Sequence, residues 1–233
     1  MNLYFLVEGR SAERKLYPMW LHHLLPTLSQ IPVPAAANRN NYFLISGGGY
    51  PHLLDRQLSA SYADVNDSGA YDYLVVCLDV DEVSPEERKD EVISAIAKQK
   101  LYLLGTCELV VILQNRCLET WLLANRSVYP RQKPESEELQ EYINYYNVFR
   151  DDPEKMGHYA GFSTHAQFHE AYLKIMLREK NIRYTKQNPK DAGEKHYLEA
   201  MIDRTEKEPR HLQTFQDFLV FCQRVRQRIA SVQ

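Results

Sequence analysis

The sequence predicts an α/β protein: a parallel sheet flanked by helices, followed by a helical C-terminal part. Three observations lead there. Four short apolar runs, LYFLV, NYFLIS, YDYLVVCLDVDE and CELVVILQN, are continuous rather than alternating, as in strands buried on both faces. Segments with apolar residues at helical spacing separate these runs, and such alternation builds parallel sheets. After Leu118 the chain carries helical spacing alone.

The first strand, Leu3–Val7, runs directly into Glu8 and Gly9. Ser11 is a plausible N-cap. Leu16, Met19, Trp20, Leu24 and Leu28 then mark a helix over 12–28. A loop holding Pro26, Pro32 and Pro34 leads to the second strand, Asn41–Ser46, which ends in Gly47-Gly48-Gly49. A helix is expected over 53–62, and the third and strongest strand over 71–82. Pro85 then opens a helix reaching Lys100, with Glu86 and Glu87 at its positive end. The fourth strand covers 107–115. Helices are expected over 118–125, 136–146, 164–180, 194–205 and 211–229. Residues 1–125 form the predicted core, and 126–233 a helical extension or subdomain packed on it.

Composition narrows the function classes. The chain has 233 residues, a net charge of −3 and 44% hydrophobic residues, so neither disorder nor a fibre is expected. A pI near 6.3 argues against a generic DNA-coating protein, though not against an enzyme that grips nucleic acid locally. No apolar stretch approaches the ~20 residues of a membrane span, and no signal peptide is read at the start, so a cytoplasmic location is expected. Cys77, Cys107, Cys117 and Cys222 form no CxxC pair and read as reduced apolar residues rather than zinc ligands. The phosphate-binding pattern G-x-x-x-x-G-K-[ST] is missing from the sequence, so no ATPase is expected in this chain.

The chemistry-bearing residues are acids at strand ends. Glu8 follows the first strand; Asp79 and Asp81 close the third, with Glu82 next. An extended backbone turns Asp79 and Asp81 to the same side, and parallel strands bring all these ends to one rim, where ligands of such sheets bind. Carboxylates crowded together repel unless a counter-charge joins them. A divalent cation is the ordinary solution, and Mg²⁺ (or Mn²⁺) takes oxygen ligands of this kind.

The segments LVEGRSAER and CLDVDE, and a fourth strand leading to NRCLETWLL, resemble the Toprim fold, a Rossmann-like parallel sheet. The likeness is to the small stand-alone Toprim-like proteins of bacterial defence loci, the RloB-like and OLD-nuclease-related group. It covers about residues 1–125 and implies a Mg²⁺-dependent nuclease. Glu8 is then the general acid/base, and Asp79 and Asp81 the metal-binding pair. Many relatives carry a second glutamate four residues after the first; here that position is Ala12, followed by Glu13. Glu119, in the segment CLETWLL, is a further candidate ligand beside Glu82 and Glu13. The resemblance also implies an anti-phage role with a separate ABC- or SMC-like ATPase as partner, and leaves homo-oligomers open.

A nuclease of net negative charge needs a basic path for the phosphate backbone. The second half gathers Arg178, Lys180, Arg183, Lys186, Lys190 and Lys195, among which Lys186, Lys190 and Lys195 are the candidate nucleic-acid contacts. His165 and His169 share a helix face but have no evident third metal partner. Two other readings stay open. One is a phosphatase of the haloacid dehalogenase type, with Asp79 as nucleophile and Asp81 as acid/base, although RDDPEK does not follow a convincing strand. The other is a catalytically degenerate Toprim module that binds or scaffolds.

Overall fold

The structure is a computed structural model and describes residues 1–231. Its elements follow the order β1 (Asn2–Val7), α1 (Ala12–Leu24), β2 (Ser29–Gln30), β3 (Asn41–Ser46), α2 (Leu58–Ser68), β4 (Tyr73–Asp79), α3 (Pro85–Lys98) and β5 (Glu108–Gln114). Helices α4 (Leu118–Leu122), α5 (Glu137–Tyr145), α6 (His165–Arg178), α7 (Lys190–Gly193), α8 (Lys195–Lys207) and α9 (Gln213–Ser231) complete them.

The sheet is five-stranded and entirely parallel, in the order β2-β3-β1-β4-β5. The fold class expected from sequence is therefore the one observed. The first long connection carries the chain from β1 to β3 on one side, and the next brings β4 to the other side of β1. Strand order thus reverses between β1 and β4, and such reversals open a crevice at the carboxyl ends of the strands.

Side-chain alternation divides the core. Leu3, Phe5 and Val7 of β1 join one cluster with Trp20 of α1, Trp121 of α4 and Phe215, Phe218 and Phe221 of α9. Tyr4 and Leu6 join the other, under Leu58 and Val65 of α2 and Val92 of α3. The helical second half is therefore continuous with the sheet's α1 face. The Phe221 ring meets Phe5 at 6.4 Å and Tyr73 at 5.4 Å between centroids.

Several boundaries differ from the sequence reading. Helix α1 stops at Leu24 rather than Leu28, because Leu25 precedes Pro26 and leaves the helical region at φ −132°, ψ 60°. The proline loop contains β2, a two-residue edge strand too short to show a pattern. A π-helical turn, Leu53–Gln57, precedes α2, which runs on to Ser68 instead of ending at Tyr62. The third strand stops at Asp79, three residues short of its predicted end at Glu82. The four-residue α7 lies between the helices expected over 164–180 and 194–205, where no element is predicted.

Helix α3 starts on a complete capping box: Ser84 Oγ accepts from the Glu87 N–H at 3.1 Å, and Glu87 Oε2 accepts from the Ser84 N–H at 2.8 Å. Ser84→Ala is expected to cost about 1 kcal/mol, read as a lower urea midpoint with an unchanged slope.

Candidate functional site

The carboxyl ends of β1 and β4 bring Glu8 and Asp79 together. The Glu8 N–H still donates to the Cys77 carbonyl at 2.9 Å, extending the β1–β4 ladder by one bond. Its carboxylate then reaches across the strand-order reversal: Oε2 accepts from the Asp79 N–H at 3.0 Å, and Oε1 from the Tyr50 N–H at 3.2 Å. The glycine loop makes the second contact possible. Gly48 and Gly49 adopt φ +81° and +98°, and the Gly49 N–H donates to the Glu8 carbonyl at 3.0 Å. The SGGGY turn thus wraps Glu8, an arrangement its composition alone does not reveal.

Asp79 as a residue is half-buried, but its Oδ1 is fully enclosed and has no hydrogen-bond partner. Beside it in register stands Gln114, at the end of β5, fully buried with its Oε1 also unpartnered while its Nε2 donates to Tyr17 Oη at 3.0 Å.

Asp81 is not on an extended backbone. It sits at φ +55°, a left-handed conformation that aspartate tolerates better than most residues. The expected side-by-side geometry of Asp79 and Asp81 is corrected accordingly. Val80 lies fully buried between them, and the backbone turns while keeping its bonds to the segment after β5: Val80 N–H to Gln114 O at 3.0 Å, Asp81 N–H to Arg116 O at 2.8 Å. Arg116 in turn donates to the carbonyls of Asp81 at 3.0 Å and Val83 at 2.7 Å. The Asp81 carboxylate pairs with Arg88 at 3.4 Å. That guanidinium is almost entirely buried, also binds Glu91 at 2.7 Å, and lies 4.0 Å from the Tyr50 ring centre. Tyr50 and Arg88 do not stand out in the sequence, where an exposed-looking tyrosine and a mid-helix arginine carry no signal.

The remaining acids divide. Glu13 is buried against the Gly9 backbone, so closely that a Cβ on Gly9 would clash with its carboxylate. Glu119, only 1% exposed at the start of α4, accepts from the Tyr184 hydroxyl at 2.9 Å. Glu82 is engaged elsewhere: the His165 N–H donates to one of its oxygens at 2.7 Å and the His165 ring binds the other. His169, far from gathering a metal with His165, is fully buried with Nδ1 at 2.7 Å from Thr120 Oγ1. Trp121 is a core residue, bonded to Thr214.

The electrostatics follow from this crowding. Burial, then the charges of Asp81 and Glu13, push the Glu8 carboxyl up to about 7, against the pull of the two backbone N–H groups. Burial and then Glu8, Glu13, Glu119 and Asp81 raise Asp79 well above the usual carboxylate range. Asp81 is raised by burial despite Arg88, and Glu13 by burial and Glu119. Glu82 goes the other way: burial would raise it, but the bonds from His165 outweigh that and lower it.

The predicted nucleic-acid lysines do not lie together in one setting. Lys186 turns into the acid cluster, its Nζ 3.4 Å from Glu170 and 3.7 Å from Glu119. Lys190 and Lys195 are exposed, and Lys195 pairs with Glu199 one helical turn away at 3.5 Å. Lys174, Arg178 and Arg183 instead line an open cavity with Tyr184 and Thr185.

Among the described residues, no three His, Cys, Asp or Glu side chains are gathered closely enough to hold a metal ion as they stand. The donor chemistry of Glu8, Asp79 and Asp81 nevertheless suits a hard cation: all are carboxylates, one oxygen is enclosed and unpartnered, and each bonded oxygen of Glu8 keeps a second lone pair. No family model, curated protein or solved structure matches the chain. Among the described residues, no helix is long and apolar enough to cross a membrane.

Proposed function

We propose that this chain is a divalent-metal-dependent phosphodiesterase, a Toprim-type nuclease that cuts DNA or RNA with Mg²⁺ or Mn²⁺. The observation that carries the reading is the meeting of Glu8 and Asp79 at the strand-order reversal, within a set of mutually repelling carboxylates that leaves Asp79 Oδ1 enclosed and unpartnered. Glu8, Asp79 and Asp81 are the residues that would hold the cation, which supplies charge stabilisation at a phosphoryl oxygen. The resemblance gives Glu8 the part of general acid/base, and without metal its carboxyl lies near 7. Arg88 holds the Asp81 carboxylate, and the glycine loop fixes the Glu8 carboxylate through the Tyr50 N–H. The resemblance to stand-alone Toprim proteins adds a cytoplasmic defence effector acting with a separate ATPase.

The test is a calorimetric titration of the full chain with Mn²⁺, beside a cleavage assay on single- and double-stranded DNA and RNA. Binding together with metal-dependent cleavage is expected. Absence of both would favour a second reading, a degenerate binding or scaffold module. That reading has its own supporting observation, since Lys186 already places a positive charge among the acids.

For the substrate path, Arg178 and Arg183 are the relevant cations, together with exposed Lys190. Neutralising all three is expected to weaken oligonucleotide binding and flatten its salt dependence, by a log–log slope of about 0.9 for each duplex phosphate no longer neutralised. An unchanged slope returns them to solvated surface.

A further inference from the structure

Lys186 is held in place by its neighbours on the loop between α6 and α7. Thr185 and Asn188 close a turn around it, with the Asn188 N–H donating to the Thr185 carbonyl at 2.9 Å and to its Oγ1 at 2.9 Å. Lys15 of α1 donates to the Gln187 carbonyl, and buried Tyr184 is tied to Glu119. The ammonium group so placed lies between Glu119 and Glu170, and its charge reaches Glu13, Asp79 and Asp81 as well. Burial of its stem would lower its affinity for the proton, but Glu119 and Glu170 outweigh that and raise it, so the cation is permanent near neutral pH.

The carboxylates thus fall into two halves. Glu13, Glu119 and Glu170 face a resident ammonium. Glu8 and Asp79 have no cationic group in contact: the contacts of Glu8 are backbone N–H groups, Asp79 Oδ1 is enclosed without a partner, and the guanidinium of this half, Arg88, pairs among these three acids with Asp81 alone, at 3.4 Å. An ammonium in contact with two of three glutamates on one side, and on the other three carboxylates with one guanidinium on Asp81 and an orphaned Asp79 oxygen, predict unequal demand for an added cation.

We propose that Lys186 is a built-in cation filling the Glu13–Glu119–Glu170 half of the cluster, so that the chain takes up a single divalent cation, on the Glu8–Asp79–Asp81 half. The same carboxylates without Lys186 would take two. This rests on the metal reading of the site. A thioether side chain in place of the ammonium keeps the stem packing, and the 43% exposure of the Lys186 side chain leaves room for the change.

Equilibrium dialysis against Mn²⁺, with bound metal counted per chain, tests the proposal on the full protein. The parent should bind one ion, Lys186→Met two, and Lys186→Arg one. Two ions on the parent, or one on a folded Lys186→Met, would overturn it. No ion on the parent would sink the metal reading itself, a distinct failure. If Lys186→Met does not fold alone, recovery of parental helicity on adding Mn²⁺ supports the proposal, and lack of recovery opposes it.

Discussion

Replacing both Asp79 and Asp81 with asparagine is expected to abolish metal-dependent cleavage while the fold survives. The exchange is nearly isosteric at both sites. At Asp79 it removes a charge from an enclosed position where burial and four neighbouring acids already oppose ionisation. At position 81 asparagine accepts the φ of +55° as readily as aspartate does. Arg88 loses its 3.4 Å partner but keeps Glu91 and the Val80 carbonyl at 3.1 Å. Metal binding, by contrast, needs the charges. A bound cation contributes several kcal/mol of transition-state stabilisation, so at 1.36 kcal/mol per tenfold a loss of about a thousandfold or more is expected. Cleavage rates in Mn²⁺ and circular dichroism on the same preparation check it; parental rates from the double variant would remove the metal assignment.

Glu8→Gln is expected to be the most damaging single isosteric change to activity, by about 10²–10⁴-fold if Glu8 moves the proton. Its effect on stability should depend on pH, and the sign can be worked out. The folded carboxyl is raised from 4.5 to about 7. Its contribution is therefore fully present below 4.5 and lost as pH rises through 7, at up to about 1.4 kcal/mol per pH unit. Glutamine has no charge to lose. At low pH the variant should be equal to the parent or weaker by about 1 kcal/mol, since the amide can accept from only one of the Asp79 and Tyr50 N–H groups. Near pH 8 and without metal it should be the more stable of the two. Buried Glu154, also raised to about 7 by burial, and His169, lowered to about 3 by burial, shift stability with pH in opposite directions. Both are common to parent and variant and cancel in the difference. A variant that melts lower across the whole range, with unchanged cleavage per folded molecule, would assign Glu8 a structural part instead.

The sheet is legible in the sequence because a strand covered on both faces reads as an unbroken apolar run, as the middles of β1, β3 and β4 do; β5, at the sheet edge and only partly buried, carries the same kind of run between Glu108 and Gln114. Parallel order then puts Glu8 and Asp79 on one rim. What cannot be read is what depends on distant chain. Lys186 is drawn as surface by its polar neighbours in RYTKQNPKD, yet it lies against Glu119, which is 67 positions earlier. Glu82 stands beside Asp81 in sequence and is nevertheless occupied by His165 of α6. Arg88 looks like any charged residue in EERKDE, and only the fold buries it beneath Tyr50. Periodicity reports the solvent; it is silent on which side chain from another element arrives.

The seam between α9 and the sheet also bears on how the chain is made. All strands and the residues Glu8, Asp79 and Asp81 leave the ribosome well before Phe215, Phe218 and Phe221, which cover Phe5, Tyr17 and Tyr73. A nascent chain halted after residue 125 has every strand and every rim acid, but an uncovered apolar face and no Lys186. Synthesis therefore supplies the internal counter-charge and then the hydrophobic cover last, and Glu119 meets Lys186 only once the loop after α6 has emerged. For the same reason, the first 125 residues expressed alone should aggregate rather than act as a minimal enzyme.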